Sequence, residues 1–412
     1  MARILPFKGI RPNKDMVSKI AALPYDVYNR AEAKEVVMKN PDSFLAIDRA
    51  ETSFPDDVDT YDDRVYTKAH DMLWERIEKG DFVSDSEPVY YIYELIMDGR
   101  SQTGIVACAS IDDYINNVIK KHENTRADKE VDRIRHVETC EAQTGPIFLA
   151  YRSNNIINGI VNRVKSGAAL YDFVAEDGIA HKAWIISSAE DIKAISEAFE
   201  SMDSIYIADG HHRCASACKV GIKKREENPS YTGNEEFNYF LSVLFPDDQL
   251  MIMDYNRVIK DLNGMSESEF LSKINLVFDT VSSDIKPIKP TEKGQVSMYY
   301  NKKWTLLKVK SQFVSDDPIK GLDVSILQNE ILNPYLGIED PKTDKRIDFV
   351  GGIRGLKELE RRCENDCVLA FAMYPTSIQE LFNVADAHLL MPPKSTWFEP
   401  KLRSGMFIHS IK

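Results

Sequence analysis

The sequence predicts a mixed α/β (α+β) fold, because strand-like and helix-like segments alternate along the whole chain. Short runs of β-branched and aromatic residues, such as 89–96, favour strands, whereas the apolar periodicity of longer segments, such as 189–202, favours helices. The chain has 412 residues, of which 43% are hydrophobic, and this is enough for two or three packed domains. We therefore expect a globular protein with more than one domain.

The N-terminal region, 1–110, is predicted to combine helices with a β-hairpin. The hairpin signal is Asp98-Gly99, a pair that favours tight two-residue turns between strands. The predicted elements are helices at 30–39 and 66–79 and strands at 89–96 and 104–109.

The central region, 111–264, is predicted to be a second α/β region. Gly145-Pro146 marks a turn that leads into a buried strand. The predicted elements are helices at 132–137, 189–202 and 214–219 and strands at 147–151, 184–186, 205–208 and 238–245.

The C-terminal region, 265–412, has a more ordinary composition and is predicted to be a third mixed region. Its predicted elements are helices at 267–274, 324–332 and 377–385 and strands at 296–300, 304–307 and 368–371.

The composition excludes several classes of function. The net charge is −13 and no basic run is long, so nucleic-acid binding is unexpected outside a local patch. No apolar leader or run of eighteen apolar residues indicates secretion or membrane insertion. Six cysteines are few for this length and favour a reducing, cytoplasmic compartment. The pairs Cys214/Cys218 and Cys363/Cys367 have three intervening residues rather than the two usual for zinc, so we favour buried structural cysteines.

The most informative segment is Ile205-Tyr206-Ile207-Ala208-Asp209-Gly210-His211-His212-Arg213, which we call the corner. Asp and Gly favour a turn after the apolar strand, and small residues beyond it suit a helix that stops near Gly221. The free N–H groups of a helix start bind anions, and basic side chains there add donors and charge. The alternative is an ordinary strand–turn–helix with structural histidines. We favour a phosphate site, formed by Asp209, Gly210, His211, His212 and Arg213.

Common nucleotide and hydrolase motifs are missing from the chain. There is no Gly-x-x-x-x-Gly-Lys-[Ser/Thr] loop and no Gly-x-Gly-x-x-Gly after a strand. Neither a Gly-x-Ser-x-Gly elbow nor a His-Glu-x-x-His helix is found. Binding or transfer of a phosphate by this chain would therefore use residues outside these motifs.

A second charged cluster lies upstream, at 121–133. Glu123 could take a proton from a hydroxyl group, while neighbouring cations hold the charged parts of a substrate. Clusters of this kind are more often solvated surfaces. The candidate substrate-binding residues here are His122, Thr125, Arg126, Lys129 and Arg133.

Several motifs carry a resemblance to known families. His122-Glu123, Arg133, Gly145-Pro146-Ile147 and the corner resemble, in this order, the core pattern of the ParB/sulfiredoxin-like superfamily, particularly its free-serine kinases. The whole chain, from Pro6-Phe7-Lys8-Gly9-Ile10-Arg11-Pro12 and Pro24-Tyr25-Asp26-Val27 to Met391-Pro392-Pro393-Lys394-Ser395-Thr396, resembles uncharacterised-domain family 1015 (DUF1015). The resemblance implies a ParB/sulfiredoxin-like catalytic core at 111–264, with mixed α/β additions on both sides.

The resemblance also implies an activity. Similar serine kinases use such a corner to hold donor phosphates and the glutamate of the His-Glu pair as base, which would be Glu123 here. It implies phosphorylation of free L-serine to O-phospho-L-serine, with pyrophosphate or a nucleotide (ADP or ATP) as donor. Sulfiredoxin-like members carry a cysteine where this chain has His211, which disfavours sulfinic-acid reduction.

Magnesium is the expected cofactor, because oxygen donors suit it and a phosphate completes its coordination. Asp209 would either bind this ion or cap the helix. Arg126, Lys129 and Arg133 would clamp the substrate carboxylate, or else form surface ion pairs. The alternative functions are a ParB-like nucleotide-sensing or DNA-associated binding protein and a small-molecule phosphatase.

Overall fold

The structure is a computed structural model that describes residues 1–125 and 127–412, without the side chains of Asp128 and Lys129. It divides into two compact units: Met1–Leu250 together with Pro400–Lys412, and Met251–Glu399. Helices and β-sheets occur in both units, so the predicted mixed α/β class is confirmed. The division into 1–110, 111–264 and 265–412 stays a prediction, because contacts alone do not show which parts of a chain fold independently.

The first unit begins with twelve strands and nine helices among its described residues. The strands are β1 (Ile4–Leu5), β2 (Ile10–Pro12), β3 (Phe82–Ser84), β4 (Tyr90–Met97), β5 (Arg100–Ser110), β6 (Ile119–Lys120), β7 (Ala142–Gln143), β8 (Ile147–Tyr151), β9 (Tyr171–Val174), β10 (Ala180–Ile186), β11 (Ile205–Asp209) and β12 (Tyr239–Pro246). The helices are α1 (Val17–Ile20), α2 (Arg30–Lys39), α3 (Leu45–Asp48), α4 (Asp63–Glu78), α5 (Ile111–Ile115), α6 (Ala127–Cys140), α7 (Asn155–Lys165), α8 (Ala189–Glu200) and α9 (His211–Glu227).

One nine-stranded sheet organises this unit. Its order is β6-β11-β8-β12-β5-β4-β10-β9, and β1 also pairs with β5. The pairs β6/β11 and β8/β12 are parallel, whereas the other pairs are antiparallel. Apolar side chains from α7, α8 and α9 pack with those of the strands in one buried cluster. The start of α9 is therefore anchored by a well-packed core.

The β-hairpin predicted at Asp98-Gly99 is confirmed. Strands β4 and β5 pair on either side of this turn, and Asp98 and Gly99 adopt φ angles of 51° and 78°. Two consecutive positive φ angles are the conformation that such a two-residue turn requires.

The predicted end of the corner helix near Gly221 is wrong. Helix α9 continues to Glu227, and Gly221 is buried within it. A Cβ atom at this position would lie 2.4 Å from the carbonyl oxygen of Phe237 and 2.6 Å from Cδ1 of Ile111. Gly221 thus permits close packing against neighbouring segments and does not end the helix.

The second unit is built on a six-stranded sheet in the order β15-β17-β16-β19-β14-β18, with a small β13-β20 pair. Its strands are β13 (Ile252–Met253), β14 (Tyr255–Ile259), β15 (Phe278–Asp284), β16 (Gln295–Tyr300), β17 (Lys303–Val309), β18 (Ile347–Gly351), β19 (Leu369–Met373) and β20 (Trp397–Phe398). Its helices are α10 (Glu267–Val277), α11 (Asp323–Leu327), α12 (Leu356–Asn365) and α13 (Ile378–Asp386).

The last thirteen residues, Pro400–Lys412, return to the first unit. Strand β21 (His409–Ser410) pairs antiparallel with β7. Nearer its start, Arg403 donates to Nε2 of His181 at 3.2 Å and also pairs with Asp177. These contacts fix a C-terminal segment against the sheet that carries the corner. In the part of the chain that is described, no helix is both long and apolar enough to cross a membrane.

Candidate functional site

Three of the sequence motifs meet at one end of the strands of the large sheet. Strands β6 and β11 are parallel neighbours, so their C-terminal ends lie side by side. His122-Glu123 follows β6, and the Asp209-Gly210 turn ends β11. Strand β8 runs antiparallel on the other side of β11, so its N-terminal end, preceded by Gly145-Pro146, lies beside the C-terminal end of β11. The strand pairing therefore explains why distant motifs share one place.

Helix α9 begins without a side-chain cap. Gly210 is its N-cap residue and adopts a φ angle of 93°, in the left-handed region. As a glycine, Gly210 provides no capping side chain, and none of the residues in the first turn is acidic. A helix start with free N–H groups and basic residues is electrostatically incomplete until an anion is present. This local arrangement is the one that the corner sequence predicts.

Arg213 joins two of the motifs. Its Nη1 donates to the carbonyl oxygen of Pro146 at 2.5 Å, and its guanidinium lies beside Gly210. A Cβ atom on Gly210 would be 3.2 Å from both Nε and Nη2 of Arg213, and one on Gly145 would be 3.5 Å from Nη1. The two glycines therefore leave room for this guanidinium at the corner.

Asp209 is held by the backbone and by the C-terminal segment. Its Oδ1 accepts a hydrogen bond from the N–H of Gly210 at 2.8 Å, and its Oδ2 accepts from Nζ of Lys401 at 2.9 Å. Burial alone would raise the pKa of Asp209, but the charges of Lys401 and Arg213 outweigh it and hold this pKa well below the usual value. Asp209 is thus a carboxylate at neutral pH, with a lysine ammonium beside it.

Two histidines pack against each other next to the corner. The rings of His122 and His211 meet edge to face, with centroids 4.5 Å apart. Burial lowers the pKa of His122 to about 4 and that of His211 well below 6.5, so both rings are neutral at pH 7. No described residue forms a hydrogen bond of normal geometry with either ring nitrogen of His122.

Glu123 lies beside the first residue of helix α9. Its Oε2 is 4.0 Å from Nδ1 of His211, and 39% of its side-chain area is exposed. A carboxylate that is partly exposed next to a helix start can accept a proton from a hydroxyl group bound there. The geometry therefore brings the predicted base and the predicted phosphate site together.

The candidate substrate-binding residues do not all face Glu123 and the corner. Thr125 donates through Oγ1 to Glu130, which also pairs with Lys219 of α9. Arg133 is 7% exposed and bonds to Asp132 Oδ2 at 2.8 Å through both Nε and Nη2. Their binding roles stay predictions. Arg126 and the side chain of Lys129 lie outside the described residues.

Arg133 contacts a residue of the N-terminal Pro24-Tyr25-Asp26-Val27 motif. Its Cζ atom is 3.9 Å from the ring centroid of Tyr25. Tyr25 and Arg133 line a cavity of about 310 Å³, and also a smaller one of about 30 Å³ that Arg213 lines too. The larger cavity has room for a small molecule.

Sequence reasoning did not single out Lys401 or Glu130. Lys401 is 192 positions from Asp209, so no local spacing links the two residues. Glu130 lies in the charged cluster 121–133 and connects α6 to α9 through Lys219. Its position in a helix next to basic residues was the available signal.

A magnesium site made by side chains alone does not fit the described residues. No group of three histidine, cysteine, aspartate or glutamate side chains among them is arranged to hold a metal ion. Asp209, the predicted ligand, already accepts hydrogen bonds from Gly210 and Lys401 on its two oxygens. Its role as a metal ligand stays a prediction.

Comparison with protein families gives one match. Residues 4–325 match the family model described as "Protein of unknown function (DUF1015)". No curated protein matches the chain.

Solved structures similar to this chain include "SbnI with C-terminal truncation from Staphylococcus aureus", at 10% identity and a TM-score of 0.37, covering 73% of this chain and 85% of that one. They also include "Free serine kinase in complex with AMP", at 14% identity and a TM-score of 0.33, covering 73% of this chain and 91% of that one. A conserved hypothetical protein from Pyrococcus furiosus matches at 14% identity and a TM-score of 0.34, covering 73% and 93%.

Proposed function

We propose that this chain, which belongs to the DUF1015 family, is a phosphotransferase that phosphorylates free L-serine to O-phospho-L-serine. The observation that carries the proposal is the position of Glu123, whose Oε2 is 4.0 Å from Nδ1 of the first residue of a helix with a glycine as its N-cap. Phosphoryl transfer needs positioning and charge neutralisation, and a helix start with Arg213 beside it can supply both. Serine as acceptor, and pyrophosphate or a nucleotide (ADP or ATP) as donor, rest on the resemblance of the motifs.

In the proposed reaction, Glu123 takes the proton of the serine hydroxyl. The hydroxyl oxygen then bonds to the terminal phosphorus of the donor, and the bond from that phosphorus to the leaving group breaks. The leaving phosphate or nucleotide keeps the electron pair of the broken bond. The N–H groups at the start of α9 and the guanidinium of Arg213 stabilise the charge on the transferred group.

Magnesium, when bound to the donor phosphates, would neutralise part of their charge. Because the described side chains do not form a metal cluster, we propose that any magnesium arrives with the donor. No step above depends on it. We further propose that the protein acts in the cytoplasm on small molecules.

The test is a screen for phosphoserine formation. Purified protein is given L-serine and Mg²⁺ with pyrophosphate, ADP or ATP in turn, and phosphoserine is measured by mass spectrometry. We expect one donor to give phosphoserine, and Glu123→Gln to lower its rate by at least about a hundredfold, as loss of a general base does. Glu35→Gln is the matched control, because Glu35 forms an exposed pair with Lys39 on α2.

The alternatives give different results. Absence of phosphoserine with every donor, from a protein that still binds phosphate, would rule out the serine kinase. A phosphatase would release phosphate from phosphoserine without a donor. A ParB-like nucleotide sensor would bind a nucleotide without turnover, and Glu123→Gln would leave that binding unchanged.

A further inference from the structure

We propose that Lys401 is a phosphate ligand of the corner, held in place by Asp209, and that phosphate binds there without a divalent metal. The inference rests on the proposed function, because it concerns the donor side of the same site. It gives a role to a residue near the end of the chain that no motif of the corner contains. It also assigns Asp209 a positioning role.

The first step is the geometry of the ion pair. Nζ of Lys401 is 2.9 Å from Oδ2 of Asp209, and 18% of the Lys401 side chain is exposed. Oδ1 of the same carboxylate accepts from the N–H of Gly210, the residue that opens helix α9. One side chain thus connects the lysine ammonium to the backbone of the helix start. The distance between this ammonium and the helix start is fixed by a single carboxylate.

The second step is the balance of charge. Asp209 is a negative group at the corner, and Lys401 and Arg213 both act on it as positive charges. Glu123, the proposed base, is a second carboxylate nearby, with Oε2 4.0 Å from Nδ1 of His211. The first turn of α9 itself contains no acidic residue. Lys401, Arg213 and the helix start therefore offer charged and N–H donors to a phosphate that binds beside Asp209.

A separate observation also indicates a missing polar ligand. His122 is 2% exposed, and none of the described residues forms a hydrogen bond of normal geometry with its ring nitrogens. Its ring packs against that of His211, the first residue of α9. Buried polar atoms are nearly always hydrogen-bonded, so ring nitrogens without a hydrogen bond of normal geometry to the described residues point to a ligand or water beside the corner.

The third step concerns how Lys401 reaches the corner. It lies in the Pro400–Lys412 segment, which the first unit holds through β21 and through Arg403. Arg403, two residues later, is bonded to His181 on β10. Lys401 is therefore carried by an ordered segment, so little conformational freedom is lost when it binds an anion.

The experiment measures binding of inorganic phosphate and of pyrophosphate by calorimetry, in EDTA and in Mg²⁺. The variants are Lys401→Met, which removes the charge at similar length, and Lys401→Arg, which keeps it. The double variant Asp209→Asn/Lys401→Met avoids leaving an unpaired carboxylate. Lys412→Met is the control in the same segment, because Lys412 pairs with Glu141 instead.

We expect the unmodified protein to bind phosphate equally in EDTA and in Mg²⁺. Lys401→Met and the double variant should each lose about tenfold or more in affinity, while Lys401→Arg and Lys412→Met stay within about threefold. Unchanged affinity in Lys401→Met, or binding that disappears in EDTA, would overturn the proposal. If Lys401-dependent phosphate binding is found but no phosphoserine forms, the inference stands and the serine kinase is ruled out. If phosphoserine forms but phosphate affinity does not depend on Lys401, the inference is overturned and the serine kinase stands.

Discussion

Nδ1 of His211 lies 4.0 Å from Oε2 of Glu123, and its other ring nitrogen, Nε2, is 3.5 Å from the backbone N–H of His122. A backbone N–H can only donate, so Nε2 is the acceptor. Because burial keeps the ring neutral, its one proton is on Nδ1 and faces Glu123. The tautomer thus follows from the contacts, and it turns an N–H group towards the proposed base.

The first prediction is that the His211 ring orients the carboxylate of Glu123. His211→Ala should lower kcat several-fold and leave KM for the phosphate donor nearly unchanged, since Nδ1–H, 4.0 Å from Oε2, orients the carboxylate through its dipole without a hydrogen bond of normal length. His211→Asn keeps an N–H donor near the Nδ1 position and should restore part of the rate. Steady-state kinetics would separate this from the phosphate-binding role that the motif predicts, for which KM of the donor would rise in both variants.

The second prediction concerns Gly210. Gly210→Ala forces a φ angle of 93° on a residue with a Cβ atom and brings this atom within 3.2 Å of the Arg213 guanidinium. Gly233→Ala is the matched control, because Gly233 has a φ angle of 89° and a Cβ atom added there would have no neighbour within 4 Å. Both should lose about 1–2 kcal/mol of unfolding free energy in urea titrations.

Only Gly210→Ala should also weaken phosphate binding, because only there does the new methyl group displace Arg213. Calorimetry on both variants measures this difference. Equal phosphate affinities would show that the guanidinium does not depend on the glycine.

The corner could be predicted from the sequence because its cues are local. An apolar run, a turn pair and basic residues follow one another, and the structure has strand β11, a left-handed Gly210 and helix α9 in that order. The end of α9 was missed because Gly221 is needed for close packing against Phe237 and Ile111, which lie in other segments of the chain. A glycine alone does not tell a helix end from a close contact.

The rest of the site depends on pairings between distant segments. Glu123 reaches the corner because the two-residue strand β6 lies parallel to β11, and nothing in the residues near 119 specifies this partner. Lys401 reaches Asp209 because the last segment returns to the first unit. Periodicity describes single elements, whereas these contacts are decided by the packing of the whole chain.

The third prediction is that Arg133 contributes mainly to stability. Its guanidinium and the Asp132 carboxylate are both buried, the hydroxyl of Tyr66 donates to Asp132 Oδ1 at 2.9 Å, and Tyr25 covers the guanidinium. Arg133→Met would leave a buried carboxylate unpaired and should cost about 3–5 kcal/mol of unfolding free energy. Urea unfolding would measure the loss.

The control for this pair is Asp132→Asn/Arg133→Met, which removes both charges and should recover much of the lost stability. If Arg133 instead clamps the carboxylate of the acceptor, Arg133→Met would raise KM for serine while the unfolding free energy stayed the same. Thermodynamic and kinetic measurements on the same variants therefore separate the two roles.

The fourth prediction concerns stability against pH and centres on His181. This side chain is fully buried, its Nε2 accepts from Nε of Arg403, and its Nδ1 is 2.8 Å from the hydroxyl of Tyr93. Burial, together with the charge of Arg403, lowers its pKa to about 3, although Asp177 opposes this shift. The unfolded chain binds a proton on this residue below about pH 6.5, whereas the folded protein does not until about pH 3.

Because the unfolded state binds more protons between these two values, the stability from His181 is complete above about pH 6.5 and is lost as the pH falls towards 3. The unfolding free energy should drop by up to about 1.4 kcal/mol per pH unit from this histidine alone. His181→Gln, whose Oε1 can accept from Arg403, should show a smaller drop between pH 7 and pH 5 in urea titrations. Equal slopes in the two proteins would contradict the assignment, because the buried imidazole would then take up its proton in the folded state as readily as in the unfolded one.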